Sequence, residues 1–194
     1  MLAVLAVSGA AAGMLTLQRQ QRLSEKLVRL HVRANSDSVA DQRLKLQVRD
    51  AVLAQVQQKL SDCQSREAAL QCLSRSLPSL AQTAADTLRQ SGCGYGVSVS
   101  LQKECFPTRE YDTFSLPAGS YTALRIDIGQ AAGQNWWCVV FPTLCQSATT
   151  EGMAEAAAAA GFSADDLELM TSETPKIKIR FRLLEFFTNL FSAS

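Results

Sequence analysis

Histidine is almost missing from this chain: His31 is the single one in 194 residues. None of the six cysteines forms a Cys-x-x-Cys pair, so the ligand spacing of a zinc site is lacking, and neither a metal nor a cofactor is expected. A P-loop, an HExxH helix, a GxSxG elbow and a dinucleotide fingerprint are all absent. Gly92, Gly94 and Gly96 are one residue apart and precede strand-like sequence, so they make no phosphate cradle at a helix start. An excess of one charge is missing too. The 19 Lys and Arg stand against 18 Asp and Glu, which removes the general argument for nucleic acid as a partner. Internal repeats and a second domain cannot be traced. These absences predict a protein that is not an enzyme, with no catalytic residue and no small-molecule substrate.

What remains is ample for a folded domain. The chain is 47% hydrophobic and long enough to bury a core without metals or bridges. Leu2 to Leu17 carries no charge, and as a helix it spans roughly 24 Å, short of the ~30 Å hydrocarbon core. That length suits a signal peptide, with Ala10-Ala11-Ala12 as small residues for cleavage, better than a full span. Arg19, Arg22 and Lys26 follow the apolar run and none precedes it. A start site assigned too late accounts for this, as does a reversed membrane anchor; a buried core helix is the bland reading. Residues 1–22 are accordingly expected to be a signal peptide or anchor and residues 23–191 one globular domain. Charge is uneven, with basic stripes at Arg19–Arg33 and Lys176–Arg182 that suit either solvent or an anionic membrane surface.

Periodicity predicts an α+β fold: a mixed or antiparallel sheet of four to five strands on two or three helices, preceded by the N-terminal apolar helix. From Val28 to Arg33 the alternation is strand-like, with Arg29, His31 and Arg33 on the wetter side. Ser38 and Asp41 have capping-box spacing before a helix to about Leu60 whose stripe is Leu44, Val48, Val52, Val56 and Leu60, with Leu46 and Leu53 beside it. A second helix spans Arg66 to Gln90, with Pro78 expected to kink or split it. Val97 to Leu101 alternates as a strand. Tyr121–Ile128 and Trp136–Phe141 read as a hairpin-like pair of strands joined across 129–134. The alanine-rich 151–175 reads as a peripheral insertion or lid. Lys176–Leu183 reads as a strand, and Leu184–Phe191 as a short helix.

Two clusters are denser in specific side chains than folding demands. The first holds His31, Arg33, Asn35, Ser36 and Asp37, continued on the helix by Asp41, Gln42, Lys45 and Arg49, whose spacing of three or four makes one polar face. The second is Asn135-Trp136-Trp137-Cys138, running on to Cys145 past Pro142. Adjacent strand residues point to opposite sides, so one tryptophan enters a core while the other needs a second layer or a partner. A Cys138–Cys145 bridge requires the chain to turn at Phe141-Pro142-Thr143. Six cysteines allow 15 pairings, and buried free thiols are the alternative.

Both clusters carry a family resemblance. LVRLHVRANSDSVADQRLKLQVRDAV (Leu27 to Val52) resembles the opening motif of stage II sporulation protein R of endospore-forming Firmicutes. The segment Phe106 to Cys145, with LPAG and NWWCVVFPTLC, resembles the family's second block, and KIKIRFRLLEFF its C-terminus. The resemblance implies a signal rather than a catalyst. Such proteins are made in the forespore and exported between the forespore and mother-cell membranes. There they are required to activate a membrane-embedded aspartic protease that processes the sigma-E precursor. By position, His31 to Asp41 and Trp136 to Cys145, together with Gln42, Lys45, Arg49 and Asn135, become the partner-facing candidates, with maintenance of the fold as the alternative. Two rival functions stand beside it: a cell-wall hydrolase using His31 with Asp37 or Asp41, and a membrane-surface structural protein using the basic stripes.

Overall fold

A computed structural model describes residues 18–144, 157 and 161–171. Six strands are described: β1 (Val28–Arg33), β2 (Val97–Phe106), β3 (Arg109–Glu110), β4 (Ser115–Leu116), β5 (Gly119–Ile128) and β6 (Asn135–Phe141). The helices are α1 (residues 18–24), α2 (Val39–Leu60), α3 (Arg66–Gln90) and α4 (Ala164–Thr171). The fold is α+β, and its main sheet is mixed, in the order β2-β5-β1-β6. β1 runs parallel to β5 and antiparallel to β6, while β2 and β5 are antiparallel. β3 and β4 form a separate two-stranded ribbon.

α2 begins where its cap predicts, and α3 is capped as well. The Ser38 hydroxyl accepts from the Asp41 amide at 3.1 Å, and Ser65 accepts from Ala68 at 3.2 Å, each satisfying a free N–H of a first turn. α3 runs unbroken through Pro78, because Leu73, Leu80, Ala84 and Leu88 bury its inner face on both sides of the proline. Val48, Val52, Val56 and Leu60 of α2 join that layer. Leu46 does not; it points outward from the helix.

Three expectations are corrected. β5 and β6 are not a hairpin, because β1 lies between them. A strand buried over nearly all of its length is most stable inside a sheet, so the 129–134 segment crosses over the end of β1 instead of turning back. Nor does β1 have a wet side. Val28, Leu30 and Val32 face α2 and α3, while Arg29 and His31 lie beneath a second buried layer. That layer contains Leu23, Leu27, Phe114, Leu116, Tyr121, Val139, Leu144, Phe162 and Met170. Ala157 is helical and buried in it as well, so the alanine-rich stretch that reads as peripheral contributes to a core. Residues 2–17, Cys145, and the strand and helix expected over 176–191 lie outside the described residues. Among the described residues, no helix is long and apolar enough to cross a membrane.

Candidate functional site

The parallel pairing of β1 with β5 brings the ends of both strands to one edge of the molecule, where the first cluster meets the crossover. Asn35 uses both ends of its amide: Oδ1 accepts from the Gln130 amide at 3.0 Å, and Nδ2 donates to Asp41 at 2.9 Å. Ser36 Oγ donates to the same Asp41 oxygen at 2.5 Å. Asp41 is thereby held below its ordinary carboxylate range, first by Ser36 and then by Asn35. Asp37 accepts from the Gln134 amide at 2.7 Å. Gln42 donates to the Ser36 carbonyl at 2.9 Å, and Lys45 donates to Gln42 at 2.6 Å and to the Gln134 carbonyl at 3.1 Å. Burial pushes the Lys45 ammonium down, as does Arg49.

Two glycines make this closeness feasible. A Cβ on Gly133 would stand 2.2 Å from the Ser36 carbonyl oxygen. One on Gly129, whose φ is +57°, would stand 2.3 Å from Asn35 Oδ1. The cluster is a polar clamp between two loops, and its groups are engaged chiefly with one another.

His31 belongs to a different assembly. Its ring does not contact Asp37 or Asp41. Nδ1 lies 2.6 Å from Glu104 on β2, and Nε2 lies 2.8 Å from the Asn135 side-chain oxygen on β6. The chain of contacts continues from Glu104 to Arg125 at 3.4 Å, from Arg125 to Asp127 at 2.8 Å, and from Asp127 to Arg33 at 2.7 Å. Burial pushes Glu104 up, but hydrogen bonds from Gln102 and His31 and the Arg125 charge outweigh it, so the carboxyl lies below its ordinary range. Asp127 is likewise raised by burial and lowered further by Arg33 and Arg125, ending below its ordinary value. All of these side chains stand on the sheet face away from α2 and α3. Sequence reasoning found His31, Arg33 and Asn135 but missed Glu104, Arg125 and Asp127. The signal was present in the same alternation, since Arg125 and Asp127 interleave with Leu124, Ile126 and Ile128. Only strand order places them beside His31.

The two tryptophans face opposite ways. Trp137 stacks on His31 with ring centroids 5.6 Å apart and carries the Arg109 guanidinium 3.7 Å above its ring. Trp136 lies on the helical side, where Arg49 of α2 sits 4.2 Å over its ring, and it is 38% exposed. Asn135 beside it is exposed, and β6 is an edge strand of the main sheet. Cys63, Cys72, Cys93 and Cys105 are free thiols. Burial raises the Cys63 thiol, with Cys72 next to it adding to the shift. Among the described residues no group of His, Cys, Asp and Glu is arranged to hold a metal.

Relatives agree with the resemblance noted in the motifs. The family model described as stage II sporulation protein R matches residues 24–151, which include both the clamp and the His31 network. A curated relative, the stage II sporulation protein R of Bacillus subtilis (strain 168), is 32% identical over 212 residues, covering 97% of this chain and 95% of its own length. No solved structure matches. With its two motif clusters folded into one clamp and one ion-pair network inside the matched span, this chain belongs to the stage II sporulation protein R family, and its role lies in sporulation.

Proposed function

We propose that this protein is an exported signal of endospore formation that activates a membrane-embedded aspartic protease, so that the sigma-E precursor is cleaved, and that it acts by contact rather than by catalysis. The observation that carries the reading is the end-to-end similarity to a stage II sporulation protein R. The environment of His31 supports a non-enzymatic role. Both ring nitrogens are engaged with Glu104 and Asn135, and the residue is only 8% exposed, which suits a strand fastener better than a proton carrier.

The contact surface we infer is the β6 edge at Asn135–Trp136 with Arg49 beside it and the outward Leu46 one turn back on α2. An exposed tryptophan under an arginine has the composition of an interaction hot spot. The clamp residues Asn35, Ser36, Asp37, Asp41, Gln42 and Lys45 set the position of that edge through the crossover loop. Export would follow from residues 2–17, acting as signal peptide or anchor. A Cys138–Cys145 bridge fits the same compartment, and it is supported by the disulfide state of Cys138 beside the four free thiols. A membrane surface is the weaker partner, since within the Arg19–Arg33 stripe Arg29 is fully buried and Arg33 is paired with Asp127.

The hydrolase reading keeps one observation in its favour: His31 is hydrogen-bonded to a carboxylate, as a general base is. Co-expression with the protease and the sigma precursor in a non-sporulating host, the protein being directed outside the membrane, separates the two. We expect precursor cleavage that depends on this protein, survives His31→Gln and is lost or strongly reduced in Trp136→Ala. Cleavage abolished by His31→Gln in a folded protein would move the hydrolase to the front. No cleavage by the folded wild type would end the activator reading.

A further inference from the structure

Arg29 carries a charge for which the described residues supply no counter-charge. It stands at the centre of β1, fully buried, on the face away from α2 and α3. Its guanidinium is packed 4.1 Å from the Phe106 ring centroid and 5.0 Å from that of Tyr121. Nη2 donates to the Tyr111 hydroxyl at 2.6 Å, while Nε and Nη1 are buried without a hydrogen-bond partner. Arg109, from the β3–β4 ribbon that closes over this face, is close enough to Arg29 to act on it as a like charge, and its Nε is also buried and unpartnered. Neither arginine is paired with a carboxylate among the described residues, whereas Arg33 and Arg125, on the same face, both are.

Aromatic rings offset part of the cost of burying a cation but supply no acceptor for its N–H groups. The two phenols do not supply a negative charge either. Burial raises both, Tyr121 to about 12, and Tyr121 donates its proton to the Pro117 carbonyl at 2.7 Å. Tyr111 accepts from Arg29, which leaves its own O–H free to donate. Two guanidiniums and a phenol under the ribbon therefore leave four donor groups unspent, with no acceptor for them among the described residues. Ser115 Oγ, also buried and unpartnered, pairs opposite Glu110 and so faces the other side of the ribbon.

We propose that Arg29, Arg109 and Tyr111 form a binding site for a small oxyanion of the phosphate class, held between the sheet and the β3–β4 ribbon. Two positive charges with several directed donors match the oxygens of phosphate better than a halide. The enclosure of Arg29 favours a free ion over the headgroup of a lipid. Bound there, the anion ties the ribbon, and through Arg109 the Trp137 and His31 rings, to the sheet. The inference does not depend on the protease reading.

The test is a titration of the full chain with inorganic phosphate in chloride buffer of constant ionic strength, followed by phosphorus NMR line broadening and by thermal unfolding. We expect saturable broadening and a melting temperature that climbs with the logarithm of phosphate concentration. Arg109→Met, at a half-buried position, should weaken binding roughly tenfold to hundredfold, as loss of a charge-assisted contact does. Arg29→Met is the second variant and should abolish binding. No saturable binding by the wild type overturns the proposal, as does an equal phosphate response in wild type and Arg109→Met, which would be a general salt effect. Flotation with phosphatidylglycerol vesicles that requires Arg109, without any response to free phosphate, would also overturn it and assign the phosphate chemistry to a lipid.

Discussion

The two faces of the main sheet use the same alternating strands for opposite chemistry. Toward α2 and α3 the strands present Val28, Leu30, Val32, Leu124, Ile126, Ile128 and Val140, a dry layer closed by two helical stripes. One residue out of step, the other face presents Arg29, His31, Arg33, Glu104, Arg125 and Asp127, and it too is largely covered. The first face stabilises by area and tolerates any register that keeps it apolar. The second stabilises little per group but discriminates among registers. His31 joins β1 to β6 through Asn135 and reaches past β5 to Glu104 on β2, while Arg33 and Asp127 join β1 to β5. A slip of one residue would exchange the two sets entirely. The lesson is that a covered face need not be oily when its charges find each other, and that such a face specifies the strand order.

The contrast can be broken most directly in the dry layer. Leu124→Ala, on the strand between β1 and β2, should cost about 2–5 kcal/mol in urea unfolding, since it removes buried methylenes and leaves a cavity. Asp127→Asn, which deprives both Arg33 and Arg125 of their shared carboxylate, should cost less, about 1–3 kcal/mol, because the side chain is 21% exposed and water compensates in part. If the second substitution costs as much as the first, the two faces do not differ in the way described.

The charged face also predicts a pH dependence. Glu104 and Asp127 have folded values below their ordinary ones, so their contribution is complete above the unfolded carboxylate range and is lost as pH falls through the lower folded values. Stability measured by chemical denaturation should therefore decline below about pH 4, and Asp127→Asn should flatten that decline. The smallest effect is expected at neither face. Ser38→Ala removes the cap of α2 and should cost about 1 kcal/mol, leaving the pH profile in place.

How much of this was legible follows from the range of each interaction. The α2 and α3 boundaries, the caps at Ser38 and the alternation of β1, β2 and β5 depend on neighbours within a turn or a strand, and periodicity reads them. The clamp was visible as an unusual run of Asn, Ser and Asp, but its meaning was not. The atoms that answer it belong to Gly129–Gln134, nearly a hundred residues on. The His31 site was half visible. His31, Arg33 and Asn135 stood out, and Trp137 with them, whereas Glu104, Arg125 and Asp127 looked like the solvent side of ordinary strands.

By itself, then, the sequence determined the class of fold, the two long helices and the cap at Ser38, the opposing directions of Trp136 and Trp137, and, through its motifs, the family. Tertiary structure alone decided that β1 separates β5 from β6, that the charged side of the sheet is covered, that His31 answers to Glu104 rather than to Asp37 or Asp41, and that Arg29 is buried against aromatic rings with no carboxylate beside it among the described residues. The physical reason is that alternation tells which side chains share a face, whereas the neighbour of a strand and the cover of a face are set by long-range closure, to which local pattern is blind.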